Sequence, residues 1–344
     1  MMSIQNLQAK VLKSSKVDFD TSLPMTWYPV CLSQDLKRQK HMKFNMFDED
    51  WIAFRTKKGV LGVTARYCCH IGTDLSNGKV VNDCIECPMH GWQFDTRGIC
   101  QHIPAQKKIP SKAQLKTLIV EEHFGIIFVF YNQVALFSFQ EIFGATENLR
   151  FSAPKRVALE TPACIVALNT FDAQHYKKVH AREFVREPEV TQISTYCLEF
   201  LYTVKVIKKR WVDYVIAKLT ADETTVTIES WGGNLLLLRN KNTLYSSLVS
   251  IKPISDQKSI IYITAIKSSK KRNSFYHKVL DKLMLQIAVT LLKSYLSPDL
   301  KIIANIRPVN GVLLDGPDAS LKHFFDYWQK LPKCSLHNDI GLKD

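Results

Sequence analysis

Two cysteine–histidine pairs are the residues with the clearest chemistry in this chain. Cys68 and His70 have the spacing C-x-H, and Cys87 and His90, which begin after sixteen intervening residues, have the spacing C-x-x-H. Two thiolates and two imidazoles arranged in this way can hold a [2Fe–2S] cluster, with both cysteines on one iron and both histidines on the other. Because imidazole is neutral, such a cluster accepts an electron more readily than one held by four thiolates.

The same four residues could instead hold structural zinc, since two cysteines and two histidines are a common zinc ligand set. Cys84 and Cys87 also form a C-x-x-C pair, which is typical of redox sites and of zinc half-sites. The neighbouring residues favour two tight metal-binding loops on a small β scaffold. Small and aromatic residues follow each pair, at Gly72, Ser76, Gly78, Gly91, Trp92, Phe94 and Gly98.

A second group of possible metal ligands is Asp172, His175 and His180. Two histidines and a carboxylate can hold Fe(II) on one face and leave positions open for O2. On a helix, Asp172 and His175 are three residues apart and share a face. His180 would point roughly 140° further round an ideal helix, so both histidines can meet one metal only if the helix ends or bulges between them.

A third iron ligand should be a carboxylate, and the candidates lie near the C-terminus: Asp299, Asp315, Asp318 and Asp326. Ser297, Pro298 and Asp299 fit the N-cap and first turn of a new helix over 299–306. Asp299 could then serve only to stabilise the helix dipole. Asp315 and Asp318 flank a Gly-Pro pair and are typical of turns.

Together, these motifs resemble those of the Rieske non-heme iron oxygenases, from Trp27 to about Leu331. The cluster halves of that family read Cys-Pro-His-Arg-Gly and Cys-Pro-Tyr-His-Gly-Trp, and its iron segment reads Asn-x-x-Asp-x-x-His-x4-His. Every ligand position is matched here. Several other family positions differ, and these are occupied here by Cys69, Ile71, Met89, Leu168 and Pro298. Met89 lacks the tyrosine hydroxyl, so we expect a lower cluster potential.

The resemblance implies roles for the matched residues. Cys68, His70, Cys87 and His90 would hold the [2Fe–2S] cluster. His175, His180 and Asp299 would hold a mononuclear Fe(II), with Asn169 supporting the site. Asp172 would not be a ligand but would bridge the two metal sites across the interface of a head-to-tail homotrimer. The chain would be the alpha subunit, with no separate beta subunit.

The predicted fold class is α+β. Short strands on both sides of the Cys/His loops predict an all-β [2Fe–2S] domain over 24–133, after an N-terminal arm over 1–23. The remainder, 134–344, is expected to be the catalytic iron domain. Its consecutive strands without helices between them favour an antiparallel sheet. A helix over 274–296 should pack on that sheet through the stripe Phe275, Val279, Leu283 and Ile287. The family resemblance implies that this is a helix-grip domain.

Composition limits the class of protein. The chain has 344 residues, 46% of them hydrophobic, nine cysteines and a net charge of +14. Unpaired cysteines suit a reducing, cytoplasmic setting. The most apolar run, 284–292, is too short to span a bilayer. Residues 1–16 lack the features of a secretory signal, although their lack of acids leaves a transit peptide open.

The basic clusters Lys208-Lys209-Arg210 and Lys270-Lys271-Arg272 could be an ordinary solvated surface or could steer an acidic ferredoxin. No nucleic-acid-binding module accompanies them. No G-x-G-x-x-G motif occurs, so NAD(P)H should act only indirectly, through a flavin reductase or ferredoxin.

The sequence therefore predicts a terminal oxygenase, a mono- or dioxygenase. It would use O2 and external electrons to hydroxylate or oxidatively demethylate a C–H bond of a small aromatic or heterocyclic molecule. The alternatives are a Rieske-type electron-transfer protein without oxygenase chemistry and a zinc-scaffold binding protein.

Overall fold

The computed structural model describes residues 15–132, 134–220, 222–268 and 275–334. Within these ranges the chain forms an N-terminal group of small β-sheets and a C-terminal unit built on one large sheet. Residues 1–14 and the predicted basic cluster over 270–272 lie outside the described residues. The following bounds define the elements that position the site.

The N-terminal strands are short and pair only in the antiparallel sense. They are β1 Ser15–Val17, β2 Trp27–Leu32, β3 Lys40–Met46, β4 Glu49–Arg55, β5 Leu61–Ala65, β6 Lys79–Val81, β7 Cys84–Glu86, β8 Gln93–Phe94, β9 Cys100–His102, β10 Ile119–His123 and β11 Ile126–Phe130. Strands β2 to β11 form three sheets, in the orders β10-β11-β2, β3-β4-β5 and β6-β7-β8-β9. The first Cys/His pair lies on the β5–β6 loop, and the second lies on the β7–β8 loop.

Strand β11 links the two halves of the molecule because it is buried on both faces, as its unbroken apolar sequence predicts. Ile127 and Val129 pack into the N-terminal core. Ile126, Phe128 and Phe130 point the other way, into a core that includes residues of the large sheet. The two units therefore share apolar packing rather than meeting at a wet interface.

The C-terminal unit contains the remaining strands and the helices. The strands are β12 Leu149–Phe151, β13 Lys155–Leu159, β14 Arg182–Phe184, β15 Glu189–Ser194, β16 Cys197–Val206, β17 Glu223–Trp231, β18 Leu235–Asn240, β19 Tyr245–Ser255, β20 Lys258–Ser268 and β21 Val312–Leu314. The helices are α1 Phe139–Phe143, α2 Ala163–Asn169, α3 Ala173–His180, α4 Trp211–Thr220, α5 Phe275–Ile303 and α6 Ala319–Lys330. Strands β12 to β20 make one nine-stranded antiparallel sheet. Helices α2, α5 and α6 cover it through a common core. The predicted α+β class and the helix-grip arrangement are confirmed.

Helix α4 corrects the prediction that no helix interrupts the strands of the sheet. It connects β16 to β17, and Val212 and Ala217 of this helix are buried. Ten residues are too few for a long helix signal, and Trp211 and Tyr214 on its exposed side obscure the amphipathic pattern.

Helix α5 differs from its prediction in two ways. It runs without a break through Pro298, so Ser297 is not an N-cap and no new helix begins at Asp299. A helix-interior proline forfeits one backbone hydrogen bond, but Ile303 beyond it is buried in the core and favours continuation. The predicted core stripe is also wrong, because Val279, Leu283 and Ile287 are exposed. The side chain of Phe275 lies outside the described part.

Leu285 and Val289 pack on the sheet in place of that stripe. Periodicity predicted an apolar face correctly, but α5 is apolar on both sides, so the pattern could not tell which side is covered. Among the described helices, none combines the length and apolar character needed to cross a bilayer.

The described part of the arm predicted over 1–23, residues 15–23, is more ordered than that prediction of a loose arm. Strand β1 pairs with β21, and Phe19 packs edge-on against Phe325 with ring centroids 5.1 Å apart. The amide of Met25 donates to Pro332 O at 2.7 Å, and the amide of Cys334 donates to Leu23 O at 2.8 Å. These contacts fix residues 15–23 against the C-terminal unit.

Candidate metal centres and pocket

The two Cys/His loops have matching backbone geometry. In the first, the amide of Gly72 donates to Cys68 O at 2.9 Å, and in the second, the amide of Gly91 donates to Cys87 O at 3.0 Å. Gly72 has φ +78° and Gly91 has φ +70°, a left-handed conformation that glycine adopts without strain. The repeated turn explains why glycine follows each histidine by one or two residues.

The loops bring the four donors together as two pairs. The Cys68 and Cys87 residues are buried, and their thiols lie close enough for each to affect the other's charge. The imidazoles of His70 and His90 lie at the exposed edge, with their Nδ1 atoms 3.2 Å apart. The indole of Trp92 stacks on His70, with ring centroids 4.6 Å apart and planes 7° from parallel. The stack holds one imidazole in place.

This pairing suits a [2Fe–2S] cluster, which takes two thiolates at one iron and two imidazoles at the other. The loop donors therefore fit a cluster with separate thiolate and imidazole ends. Among the described residues, only His175, His180 and Asp299 offer three donor atoms within 4.8 Å of one another.

Burial raises the pKa of the Cys68 thiol to about 12, and the nearby Cys87 adds to the shift. A thiolate at this position thus needs a compensating cation. Metal binding at the loops should therefore release protons, as it does wherever thiols become ligands.

The second centre consists of His175, His180 and Asp299. His180 Nε2 lies 2.8 Å from Asp299 Oδ2, and His175 Nε2 lies 3.9 Å from Asp299 Oδ1. All three residues are buried or nearly so, and Asp299 Oδ1 and His180 Nδ1 have no hydrogen-bond partner. A buried carboxylate oxygen without a partner is costly unless a cation compensates for it. Two imidazoles and one carboxylate on one side of a cavity fit a divalent metal with open positions.

Helix α3 contains both histidines and ends directly after His180. Ala181, the next residue, has the left-handed conformation with φ 52° and ψ 52°. The ring centroids of His175 and His180 lie 5.2 Å apart. The prediction that the helix must end or bulge between the two histidines is therefore wrong, because their side chains converge although the helix continues between them. Asp299 lies on α5 and reaches the two histidines only because the packing of the fold brings α5 next to α3.

Asp172 is the N-cap of α3. Its Oδ1 accepts hydrogen bonds from the amides of Gln174 at 3.0 Å and His175 at 3.3 Å. Its carboxylate stays partly exposed, and Oδ2 lies 4.0 Å from His175 Nδ1. The structure therefore places Asp172 beside the triad but outside it.

The tautomer of His175 follows from its neighbour. Its Nδ1 contacts the backbone O of Asp172, and a carbonyl oxygen can only accept, so Nδ1 carries the proton. The lone pair on Nε2 then faces Asp299. Burial lowers the pKa of His175, with an opposing effect from Asp299, and so favours the neutral ring that a metal ligand requires.

Three further residues hold this centre, and no sequence pattern predicts them. Tyr295 stacks on His180, with ring centroids 4.2 Å apart and planes 16° from parallel. The guanidinium of Arg182 lies 5.3 Å from the centroid of the Tyr295 ring on α5. Arg182 also donates to His180 O at 2.7 Å and to the buried Asp213 on α4 at 3.1 Å. Helix α4 thus anchors the backbone of His180 through one ion pair.

We expect the substitution Asp213→Leu to lower the free energy of unfolding by about 3–5 kcal/mol, because it leaves the buried Arg182 unpaired. Urea denaturation measures the loss. The control is Asp222→Asn, whose exposed carboxylate lies 2.7 Å from Lys208 and should matter by less than about 1 kcal/mol. Equal losses in the two variants would contradict a structural role for the buried pair.

A small pocket opens on the second centre. Its walls are aliphatic residues of the sheet and α5, three tyrosines, Asn169 and Thr170, and the triad supplies its only ionisable side chains other than the tyrosines. The aliphatic and tyrosine residues are Val166, Tyr176, Tyr202, Ile228, Leu236, Leu238, Val249, Ile261, Tyr295, Leu296, Leu300 and Ile303. Burial raises the pKa of Tyr202 to about 12 and the pKa values of Tyr176 and Tyr295 well above the usual 10. The tyrosines are therefore neutral, and the pocket favours an uncharged molecule.

The other predicted residues lie as follows. Asn169 is the last residue of α2 and lines the pocket. Asp315 caps the short turn before α6, as predicted for a turn residue, and Asp318 accepts from the Gln174 side chain at 2.5 Å. Neither belongs to the three-donor group, and neither does the exposed Asp326.

Residues 26–117 match the family described as "Rieske [2Fe-2S] domain". This match confirms the predicted cluster cofactor. The chain is also 33% identical over 193 residues to aminopyrrolnitrin oxygenase PrnD of Pseudomonas fluorescens. The matched region covers 53% of this chain and 53% of the relative. It is 35% identical over 124 residues to cholesterol 7-desaturase nvd of Drosophila melanogaster, covering 35% of this chain and 29% of the relative.

A solved structure of dicamba monooxygenase with non-heme iron and dicamba is similar in fold, with a TM-score of 0.61. It is 18% identical and covers 90% of this chain and 97% of that chain. The likeness thus extends through both units of the fold. The matches to the two curated relatives span about half of the first and less than a third of the second.

Proposed function

We propose that this chain is the terminal oxygenase of a multicomponent redox system. It is similar to Rieske oxygenases in sequence, contains the Rieske [2Fe–2S] domain and shares their fold. It would use O2 and externally supplied electrons to hydroxylate or oxidatively demethylate a C–H bond of a small molecule. The observation that carries the proposal is the triad of His175, His180 and Asp299 at one side of an apolar pocket. A pure electron carrier needs no such pocket.

The residues divide into two metal sites. We assign Cys68, His70, Cys87 and His90 to the [2Fe–2S] cluster, and His175, His180 and Asp299 to a mononuclear iron. When bound, the cluster supplies electrons one at a time and the iron supplies open positions for O2 activation. We retain 24–133 as the cluster domain and 134–344 as the catalytic domain, after the arm over 1–23.

The chain's own residues prepare the second site. Asp172 O holds the proton on Nδ1 of His175 and so presents Nε2. Tyr295 and Arg182 fix the ring and backbone of His180. The aliphatic walls exclude water, which would otherwise compete with the substrate for activated oxygen. Asn169 and the tyrosine hydroxyls offer hydrogen bonds that orient a substrate.

The lining defines the substrate class. With neutral tyrosines and with Asp299 and the histidines engaged by metal, the pocket offers no charge to bind a carboxylate or an ammonium group. A small aromatic or heterocyclic molecule with few polar atoms fits these walls. Insertion of one oxygen atom, rather than two, is the reaction we favour, and product labelling with heavy-isotope O2 distinguishes the two.

The position of Asp172 supports the quaternary arrangement that we propose. The Asp172 carboxylate is partly exposed beside His175 in the C-terminal unit. His70 and His90 are exposed on the Cys/His loops of the N-terminal sheets. We propose a head-to-tail homotrimer in which Asp172 joins the cluster edge of one protomer to the iron site of the next. A ferredoxin or a flavin reductase would supply the electrons, with NAD(P)H acting only through that component, in the cytoplasm.

The cluster edge carries one testable departure from the family pattern. Met89 is exposed and offers no hydroxyl to a cluster sulfur. We expect Met89→Tyr to raise the reduction potential, because an added hydrogen bond stabilises the reduced cluster. Redox titration followed by EPR measures the shift, and Met89→Phe controls for ring size. An unchanged potential in Met89→Tyr would show that residue 89 does not tune the cluster.

The oxygenase proposal is tested on an anaerobic preparation with iron and sulfide counts and EPR, followed by oxygen uptake with a generic ferredoxin system and a panel of uncharged aromatics. Two iron types and substrate-dependent oxygen uptake are expected. Iron confined to the cluster would instead make the chain an electron carrier, and a colourless zinc protein would contradict both.

A further inference from the structure

Helix α5 has a second apolar face, which the structure leaves uncovered. Five large apolar side chains on this face are between 40% and 56% exposed: Val279, Leu280, Leu283, Met284 and Ile287. With about 100° between successive residues, they form one continuous stripe opposite Leu285 and Val289. Scattered exposed apolar residues are normal, but five on one helix face indicate a surface that contacts something other than water.

The charges on α5 are distributed unequally around this stripe. Lys282 and Lys293 are exposed on the side of the helix next to Val279, and Lys278 is exposed near the start of the helix. The helix carries two acids, Asp281 and Asp299, and both turn inward. Asp281 pairs with Lys267 at 2.6 Å and with Arg150. The outer face therefore combines apolar side chains with positive charge, and α5 contributes no acid to it.

Helix α4, which contacts α5 at Tyr295, carries an exposed aromatic pair of its own. Trp211 is 62% exposed and Tyr214 is 59% exposed, three residues apart on one helix face. Lys208 and Lys209 directly precede the helix. Arg210, at its start, lies 5.9 Å from the centroid of the Tyr295 ring on α5, so the two helices are in contact. Tryptophan and tyrosine are the side chains enriched where a bilayer meets water.

We propose that the outer face of α5 docks on an anionic phospholipid surface. The protein would lie on the bilayer without crossing it. The apolar stripe would enter the boundary between headgroups and acyl chains, and the lysines would contact the lipid phosphates and carboxylates. A two-fold contact with a second copy of this chain is a poorer occupant, because it would place lysines against lysines, and a head-to-tail contact is an outcome of the test below.

The docking face has a consequence for the pocket, and this consequence alone rests on the proposed oxygenase function. Tyr295, Leu296, Asp299 and Leu300, further along α5, line the pocket. Docking would place the pocket next to the bilayer, from which an uncharged apolar substrate can partition. Docking itself is independent of turnover and can be measured without it.

The experiment is sedimentation of the full chain with phosphatidylcholine vesicles that contain phosphatidylserine, compared with vesicles of phosphatidylcholine alone. We expect binding to the anionic vesicles, weakened by added salt. The double variant Leu283→Glu with Ile287→Glu should reduce vesicle affinity by about tenfold or more, since it replaces apolar contact with like-charge repulsion. The matched control is Leu244→Glu, on the β18–β19 turn, where Leu244 is 74% exposed and should have no effect.

Each alternative result overturns the proposal. Wild-type protein that stays with the supernatant excludes a lipid surface, and equal binding by the Leu283/Ile287 double variant excludes this face. Sedimentation velocity without vesicles tests the second copy, since self-association lost in the same variant would assign the stripe to a protein interface. Cluster absorbance and thermal unfolding verify that all variants are folded.

Discussion

An Asp299→Ala variant is expected to retain the [2Fe–2S] cluster, lose the mononuclear iron and lose product formation by more than about a hundredfold. Removing only a hydrogen-bonding partner of a metal ligand typically costs roughly 10–100-fold, so removing the ligand itself should cost more. Asp299 is also the one carboxylate in the three-donor group. Its loss leaves two neutral imidazoles and no anion to balance the metal charge.

The measurement is an iron and sulfide count on the purified variant, with product formation assayed beside wild type. Asp326→Ala is the matched control, because Asp326 was an alternative candidate and lies exposed on α6. Since alanine favours helix, this control should keep both iron types and full activity. Full iron occupancy in Asp299→Ala would show that Asp299 is not an iron ligand and that another residue is the third ligand.

The choice of Asp299 shows what the sequence could and could not supply. The cluster loops were predictable because both ligands of each loop lie within four residues, and a glycine marks the turn. The spacing identified His175 and His180 as a possible pair, but the end or bulge expected between them is not there, since α3 runs without a break from Ala173 to His180. Asp299 lies 119 residues after His180, so spacing could not connect them, and only the family resemblance selected it.

The errors have a common physical origin in tertiary packing. Pro298 is a local stop signal, yet α5 continues because Leu300 and Ile303 beyond it pack in the core. The stripe through Leu283 was assigned to the core because periodicity identifies faces and not their neighbours. The role of Arg182 could not be predicted, because it depends on contacts with Tyr295 and Asp213, which lie far away in the sequence.

Asp172→Asn is expected to keep both metals and a stable fold but to lose coupled turnover by about a hundredfold or more. Asparagine caps a helix as well as aspartate does, so the bonds to the amides of Gln174 and His175 should persist. The negative charge beside His175 would be lost, and with it the proposed bridge to the cluster of the next protomer.

Comparison with Asp172→Ala separates the bridge from the cap, because alanine removes both and should also lower the free energy of unfolding by about 1 kcal/mol. Single-turnover assays of the reduced protein with substrate and O2 measure cluster oxidation and product together. If Asp172 only caps α3, Asp172→Asn should turn over normally, and Asp172→Ala should be less stable but should still oxidise its cluster during turnover. If it also carries the electron path, both variants should stall with the cluster reduced, whatever their stability.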